Sequence, residues 1–255
     1  MIITKIANLN SVMDGLLFIV YCVVVGGLML HFFGFILSGR FRERFINKHM
    51  KKVTPHDYLL LPIRICHWVH LICIGGLVFT GFCIRYKLLE AHMVVWKRHH
   101  FYLGIIVLIN FVIRLIYAFK GRGKTYKDFP VWAKDLFNTP AVIKYYLFIS
   151  DDYPHIAKYA SLQKITYNFF WQFLLVQGIT GFFLLLPELT LQRIILYTGS
   201  MEAAVAFIKV IHMALTWFYI ICTTIHVYLS VSEGFPLFKL IMFNIEPDIV
   251  VEEKS

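Results

Sequence analysis

The sequence predicts an all-α integral membrane protein with five transmembrane helices, and three observations lead there. Hydrophobic residues make up 59% of the 255 and charged residues only 16%, with a mean hydropathy of +0.69. That composition is too apolar for an ordinary soluble domain. Five apolar stretches, at roughly 14–38, 58–84, 100–119, 165–187 and 204–231, are each long enough to cross a hydrocarbon core of about 30 Å. The runs are long and continuous, where a barrel would show short alternating segments, so the spans are expected to be helices. The expected organisation is an N-terminal helix with a basic loop (1–57), a four-helix core (58–231) and a C-terminal tail (232–255).

The first span follows a segment, Met1–Ser11, whose only basic side chain is Lys5. Its apolar stretch from Leu16 to Leu37 outlasts a signal-peptide core and ends in Arg40, Arg42 and Arg44 with no small-residue cleavage site. A retained transmembrane helix is therefore expected. The loop at 39–57 adds Lys48, Lys51 and Lys52, and the loop at 120–164 carries eight basic residues. With Lys239 and Lys254, sixteen basic side chains fall on one side of the membrane, against seven on the other. The positive-inside rule then puts the N-terminus outside and the C-terminus in the cytoplasm. The formal charge of +10 is thus a topology signal. It does not sit on a separate soluble module, which argues against nucleic acid as a partner.

Cys22, Cys66, Cys73, Cys83 and Cys222 all lie within spans, and none belongs to a C-x-x-C pattern. They read as small buried hydrophobes, with no support for covalent haem attachment or iron–sulfur ligation. Histidines carry more information, because an imidazole at membrane depth is costly without a partner. The second span offers His67 and His70, the third His99 and His100, and the fifth His212 and His226. Fourteen residues separate His212 from His226, so they share a helix face about 21 Å apart along the axis. With the second and fifth spans running in opposite senses, the depths match in pairs: His67 with His226 toward the inner side, His100 with His212 toward the outer. A single histidine in a span is more often a helix–helix hydrogen-bonding or interfacial residue. Four that pair by depth suggest two bis-imidazole metal sites. Imidazole also serves zinc and copper. Two trans imidazoles in an apolar bundle, with no carboxylate or thiolate beside them, suit haem b. His70 and His99 are rival ligands, and His31 has no depth-matched partner.

Other residues fit such sites without specifying them. Gly75, Gly76, Gly81, Gly104, Gly178 and Gly181 would admit either bulky macrocycles or a close neighbouring helix. Arg114, fourteen residues after His100, is a candidate for the propionates of the inner haem, with Arg64 a second. Snorkelling to the interface explains Arg114 equally well. The aromatic and lysine-rich segment 129–148 reads as an interfacial helix or as a loop anchored among headgroups.

In chain order, Arg64-Ile65-Cys66-His67-Trp68 with Thr80-Gly81, then His100-x-x-x-Gly104, then Lys158-Tyr159-x-x-x-Gln163-Lys164 with Thr180-Gly181, then His212 and His226 follow one pattern. The pattern resembles the cytochrome b subunits of formate dehydrogenase-N, nickel–iron hydrogenase and thiosulfate or polysulfide reductase, over about residues 58–231. The extra N-terminal helix, His56-Asp57-Tyr58-Leu59 and Ser232-x-Gly234-x-Pro236 are closest to the thiosulfate reductase branch. The resemblance implies two haem b groups, one held by His67 and His226 and the other by His100 and His212. It also implies a menaquinone or ubiquinone site near the inner haem, with Lys158, Tyr159 and Gln163 as candidates. Ala160 stands where formate dehydrogenase-N has an asparagine, so the pocket is expected to differ. The implied partners are an iron–sulfur subunit and a catalytic subunit on the outer side of a bacterial or archaeal cytoplasmic membrane. Two other readings stand beside this one: a stand-alone di-haem carrier without quinone chemistry, and a haem-free transporter relaying protons through histidines.

Overall fold

The structure is a computed structural model describing residues 2–46, 61–121, 124–151, 161–232, 235–243 and 245. The described residues contain helices and turns and no strand. In order, the helices are α1 (Ile2–Leu37), α2 (Leu61–Arg85), α3 (Met93–Lys120), α4 (Ala133–Tyr146), α5 (Ser161–Leu185), α6 (Pro187–Thr190), α7 (Gln192–Thr198), α8 (Met201–Ser232) and α9 (Phe235–Phe243). Among the described residues, five segments are long and apolar enough to cross a membrane: Ser11–Leu37, Leu61–Arg85, Glu90–Lys120, Ser161–Leu185 and Met201–Ser232. Large side chains such as Val23, Leu30, Leu37, Ile72 and Ile113 are exposed on them, as suits surfaces solvated by lipid. The expected all-α membrane fold is therefore the observed one.

The third span begins earlier than its apolar run. Lys97 and Arg98 interrupt the hydropathy but not the helix, since both are good helix formers that can extend toward headgroups. His100 consequently lies in the second turn of α3, not at its start. The segment read as an interfacial helix contains α4, and part of the region read as a tail forms α9.

The chain divides into two compact units, Met1–Phe32 with Thr166–His226, and Phe33–Ile165 with Val227–Ser255. In the first unit, aromatic rings hold the helices together. Phe18 and Tyr21 of α1 meet Trp217 of α8 at 6.1 and 6.0 Å, and Phe173 of α5 meets Phe218 edge-on at 4.5 Å. The Tyr219 hydroxyl donates to the Phe170 carbonyl. At the other end, α6 and α7 fold the chain back so that Leu191, Ala204 and Ile208 form a closed apolar core. Gly199 ends α7 at φ 83°, a left-handed cap that an L side chain would strain, and its N–H bonds the Ile195 carbonyl at 2.7 Å.

In the second unit, α2 and α3 form an antiparallel hairpin through a 3₁₀ turn at Glu90–His92. Asn110, buried on α3, donates to the Cys66 carbonyl at 2.9 Å. Gly76 lets Leu103 approach so closely that a Cβ would lie 2.7 Å from its Cδ1. α9 returns to this hairpin, where Trp68 Nε1 donates to the Ile241 carbonyl at 3.3 Å.

α4 is anchored twice. At its C-terminal end Arg40 donates to the carbonyls of Tyr145 (2.8 Å) and Ser150 (2.7 Å) and to Asp151 Oδ1 (3.0 Å). Its guanidinium also lies 4.3 Å from the Tyr145 ring centroid and 4.8 Å from that of Phe148. A planar fork can serve all these partners at once, and a lysine ammonium cannot. Arg40→Lys is expected to cost about 1–3 kcal/mol, the size of one or two lost charge-assisted bonds. Urea unfolding in mixed micelles, read by tryptophan fluorescence, would check this. At the other end of α4, Asp135 accepts from the Trp132 N–H (2.8 Å) and from Lys164 Nζ (3.1 and 3.3 Å). Both charged side chains are buried, at 2% and 7% exposure.

Candidate functional site

One polar feature of the spans is built twice, once in each unit. In the second unit, Thr80 and Gly81 on α2 face His100 on α3. Thr80 Oγ1 lies 2.9 Å from His100 Nδ1 and 2.7 Å from the carbonyl of Gly76, one turn back on its own helix. A Cβ on Gly81 would lie 3.4 Å from His100 Cε1, so the glycine leaves room for the ring. In the first unit, Thr180 and Gly181 on α5 face His212 on α8. Thr180 Oγ1 lies 2.9 Å from His212 Nδ1 and 2.9 Å from the Val176 carbonyl. A Cβ on Gly181 would lie 3.6 Å from His212 Cε1.

Hydrogen-bond inventory then fixes both rings. The threonine hydroxyl has one proton, and in each case an i−4 carbonyl sits close enough to take it. The hydroxyl oxygen must therefore accept from the histidine, so Nδ1 carries the ring proton and Nε2 carries the lone pair. That is the tautomer a histidine ligating a metal through Nε2 needs. Below His212, Gln177 Nε2 donates to Thr216 Oγ1 (3.1 Å), which donates to the His212 carbonyl (2.9 Å).

The other expected residues fall as follows. His67 is half-buried on α2, and its Nδ1 is buried with no hydrogen-bond partner among the described residues. His226 lies on α8 with the Tyr167 ring edge-on at 6.0 Å. His99, the rival of His100, is exposed, and its Nδ1 bonds the Val95 carbonyl of its own helix at 2.8 Å. Arg114 reaches Thr125 Oγ1 in the 3₁₀ turn after α3, at 3.3 Å, and Arg64 is half-buried in the first turn of α2. Gln163 occupies the first turn of α5 beside buried Lys164. Lys158, Tyr159, Ala160, His56-Asp57-Tyr58-Leu59 and Gly234 lie outside the described residues.

Gly76, Gly81 and Gly181 serve close contact with a side chain, whereas Gly75 and Gly104 have no heavy atom within 4 Å of a Cβ position. Within either unit no three of His, Cys, Asp or Glu gather among the described residues, as a closed zinc site would require. Imidazoles with a defined donor nitrogen, one of them on α3 with the open Gly104 a turn away, fit residues that would hold a planar metal cofactor.

A family model described as prokaryotic cytochrome b561 matches residues 60–242. The chain belongs to that family. As a cytochrome b it is a haem-b electron carrier of the membrane, which sets aside the haem-free transporter. The chain is also similar to a protein named as a probable Ni/Fe-hydrogenase 1 B-type cytochrome subunit in Escherichia coli K12. Identity is 28% over 109 residues, covering 38% of this chain and 46% of that one. The counterpart in Escherichia coli O157:H7 matches to the same extent. The chain thus spans about half the length of the curated relatives it matches. No solved structure matches it significantly.

The threonines were missed as functional residues in the sequence reading. The signal available was the tripeptide Thr-Gly-Phe, present at 80–82 and again at 180–182.

Proposed function

We propose that this cytochrome b holds two haem b groups and carries electrons between a partner on the outer face and the quinone pool. His67 and His226 would hold the inner haem, and His100 and His212 the outer. The observation that carries this reading is the matched setting of His100 and His212, each prepared as an Nε2 donor by a threonine on a neighbouring helix. When bound, haem b supplies a one-electron iron couple whose potential follows axial ligation and burial.

The chain's own residues do the rest. The imidazoles fix position and orientation, and the apolar spans exclude water. Gln163, with Lys158 and Tyr159, would bind menaquinone or ubiquinone at the entry to α5. Arg64 and Arg114 are candidates for the inner propionates. The basic residues favour an N-terminus outside and a C-terminus inside a bacterial or archaeal cytoplasmic membrane. The hydrogenase-subunit name of the relatives supports a multi-subunit enzyme, with an iron–sulfur subunit and a catalytic subunit on the outer side. The thiosulfate reductase branch remains our choice within that class, on the N-terminal helix and the motifs flanking the core.

The test is a difference spectrum of the purified protein. Menaquinol or ubiquinol analogues are expected to produce reduced b-type bands, and a quinone-site inhibitor to block them. Full reduction by dithionite with no response to any quinol would instead favour a stand-alone carrier.

A further inference from the structure

We propose that Thr80 and Thr180 are a matched pair of positioning residues that tune the outer haem through its two axial histidines. The proposal rests on the reading that His100 and His212 ligate one haem, and it deepens that reading by giving the two threonines a role in the properties of that haem.

Each threonine hydroxyl donates to a carbonyl one turn back, Gly76 at 2.7 Å or Val176 at 2.9 Å. Each lies 2.9 Å from the Nδ1 of a histidine on another helix. Donation to the carbonyl polarises the hydroxyl oxygen and makes it a stronger acceptor. The Nδ1–H bond it receives shifts electron density toward Nε2, which makes the imidazole a better donor to iron. Better donation favours the ferric state, so both threonines hold the potential of that haem down. They also lock ring rotation, because each ring has its Nδ1 tethered and its Cε1 against the adjacent glycine, Gly81 or Gly181.

The arrangement is duplicated in residue type, order and distance, on α2 with α3 and on α5 with α8. The accompanying Gly and Phe repeat as well, at 81–82 and 181–182. A threonine satisfying only its own helix would not need to meet a histidine Nδ1 in both places. No comparable bond reaches His67, whose Nδ1 has no partner among the described residues. Removing the two hydroxyls should therefore affect one haem and spare the other.

The experiment compares Thr80→Val, Thr80→Ser, Thr180→Val and Thr180→Ser by potentiometric titration of the b bands and by low-temperature EPR of the oxidised protein. Each valine variant is expected to raise the midpoint potential of one haem and move its low-field EPR feature, with the second haem unchanged. Serine should restore both signatures. Loss of that haem in valine but not serine also supports the role, since only the hydroxyl distinguishes them. Unchanged potentials and EPR in the valine variants overturn it, as do equal shifts of both haems or haem loss in valine and serine alike. The ligand assignment is tested apart. If His100→Ala and His212→Ala both keep two haems, that assignment fails whatever the threonines do.

Discussion

Replacing His226 by alanine is expected to leave one haem in place of two, while replacing His70 leaves both. An axial imidazole contributes both a coordinate bond and the orientation of the macrocycle. Alanine supplies neither, and it leaves a cavity in an apolar span. His70, one turn from His67 on α2, is the only other histidine of that helix and the most direct competitor for its role. The pair of variants therefore reads the pairing directly. Haem per chain is measured by pyridine haemochrome, and potentiometry identifies which midpoint is lost. His67→Ala should lose the same midpoint as His226→Ala, and His100→Ala the same as His212→Ala. Two haems retained in the His226 variant, or different midpoints lost within a pair, would refute the two-site arrangement. A conservative check is His226→Met, which keeps an axial donor and is expected to retain the haem at a raised potential.

How much of this was legible in the sequence follows from what each residue must satisfy. The five spans were legible because hydrocarbon thickness demands long apolar runs. The histidines stood out because a polar ring in such a run needs a reason. Helix α3 was read short because hydropathy detects lipid contact and not backbone hydrogen bonding, so Lys97 and Arg98 masked its first two turns. Thr80 and Thr180 were visible as residues but not as partners. A threonine in a span looks the same whether it bonds only its own helix or also a neighbouring imidazole, and that choice depends on interhelical geometry. Arg40 and Lys164 show the opposite failure. Both were counted as topology charges, and both are buried in specific pairs. Charge counting weighs every cation alike, because burial of a basic side chain depends on contacts 29 residues or more away in the chain. The bias survives their removal, at fourteen against seven.

The buried pair also carries the largest stability effect expected outside the haem ligands. Removing one partner of a buried, hydrogen-bonded ion pair leaves an uncompensated charge and costs about 3–5 kcal/mol. Asp135→Ala should therefore unfold the junction of α4 and α5 at much lower urea, and it also deletes the acceptor for the Trp132 N–H. Replacing both partners, as Asp135→Asn with Lys164→Met, removes the stranded charge and keeps an acceptor at the cap. The double variant should recover most of the loss, and a cycle with the two single variants measures the coupling. Acid acts on the same pair. Burial alone would push the Asp135 carboxyl up, but the Trp132 N–H and the Lys164 ammonium outweigh it and hold the group below the usual carboxylate range. A carboxyl whose folded value is depressed contributes stability that is fully present above its unfolded value of about 3.9. That contribution fades as pH falls from there through the lower folded value. Wild type is thus expected to lose stability below about pH 4 more steeply than the double variant, other carboxylates being common to both. Parallel acid profiles for the two proteins would show that the pair contributes nothing to folding. The position adds a functional consequence, because Lys164 adjoins Gln163 at the proposed quinone entry. A released α4–α5 junction should then raise the KM for quinol before it lowers haem content, whereas the histidine variants lose haem first.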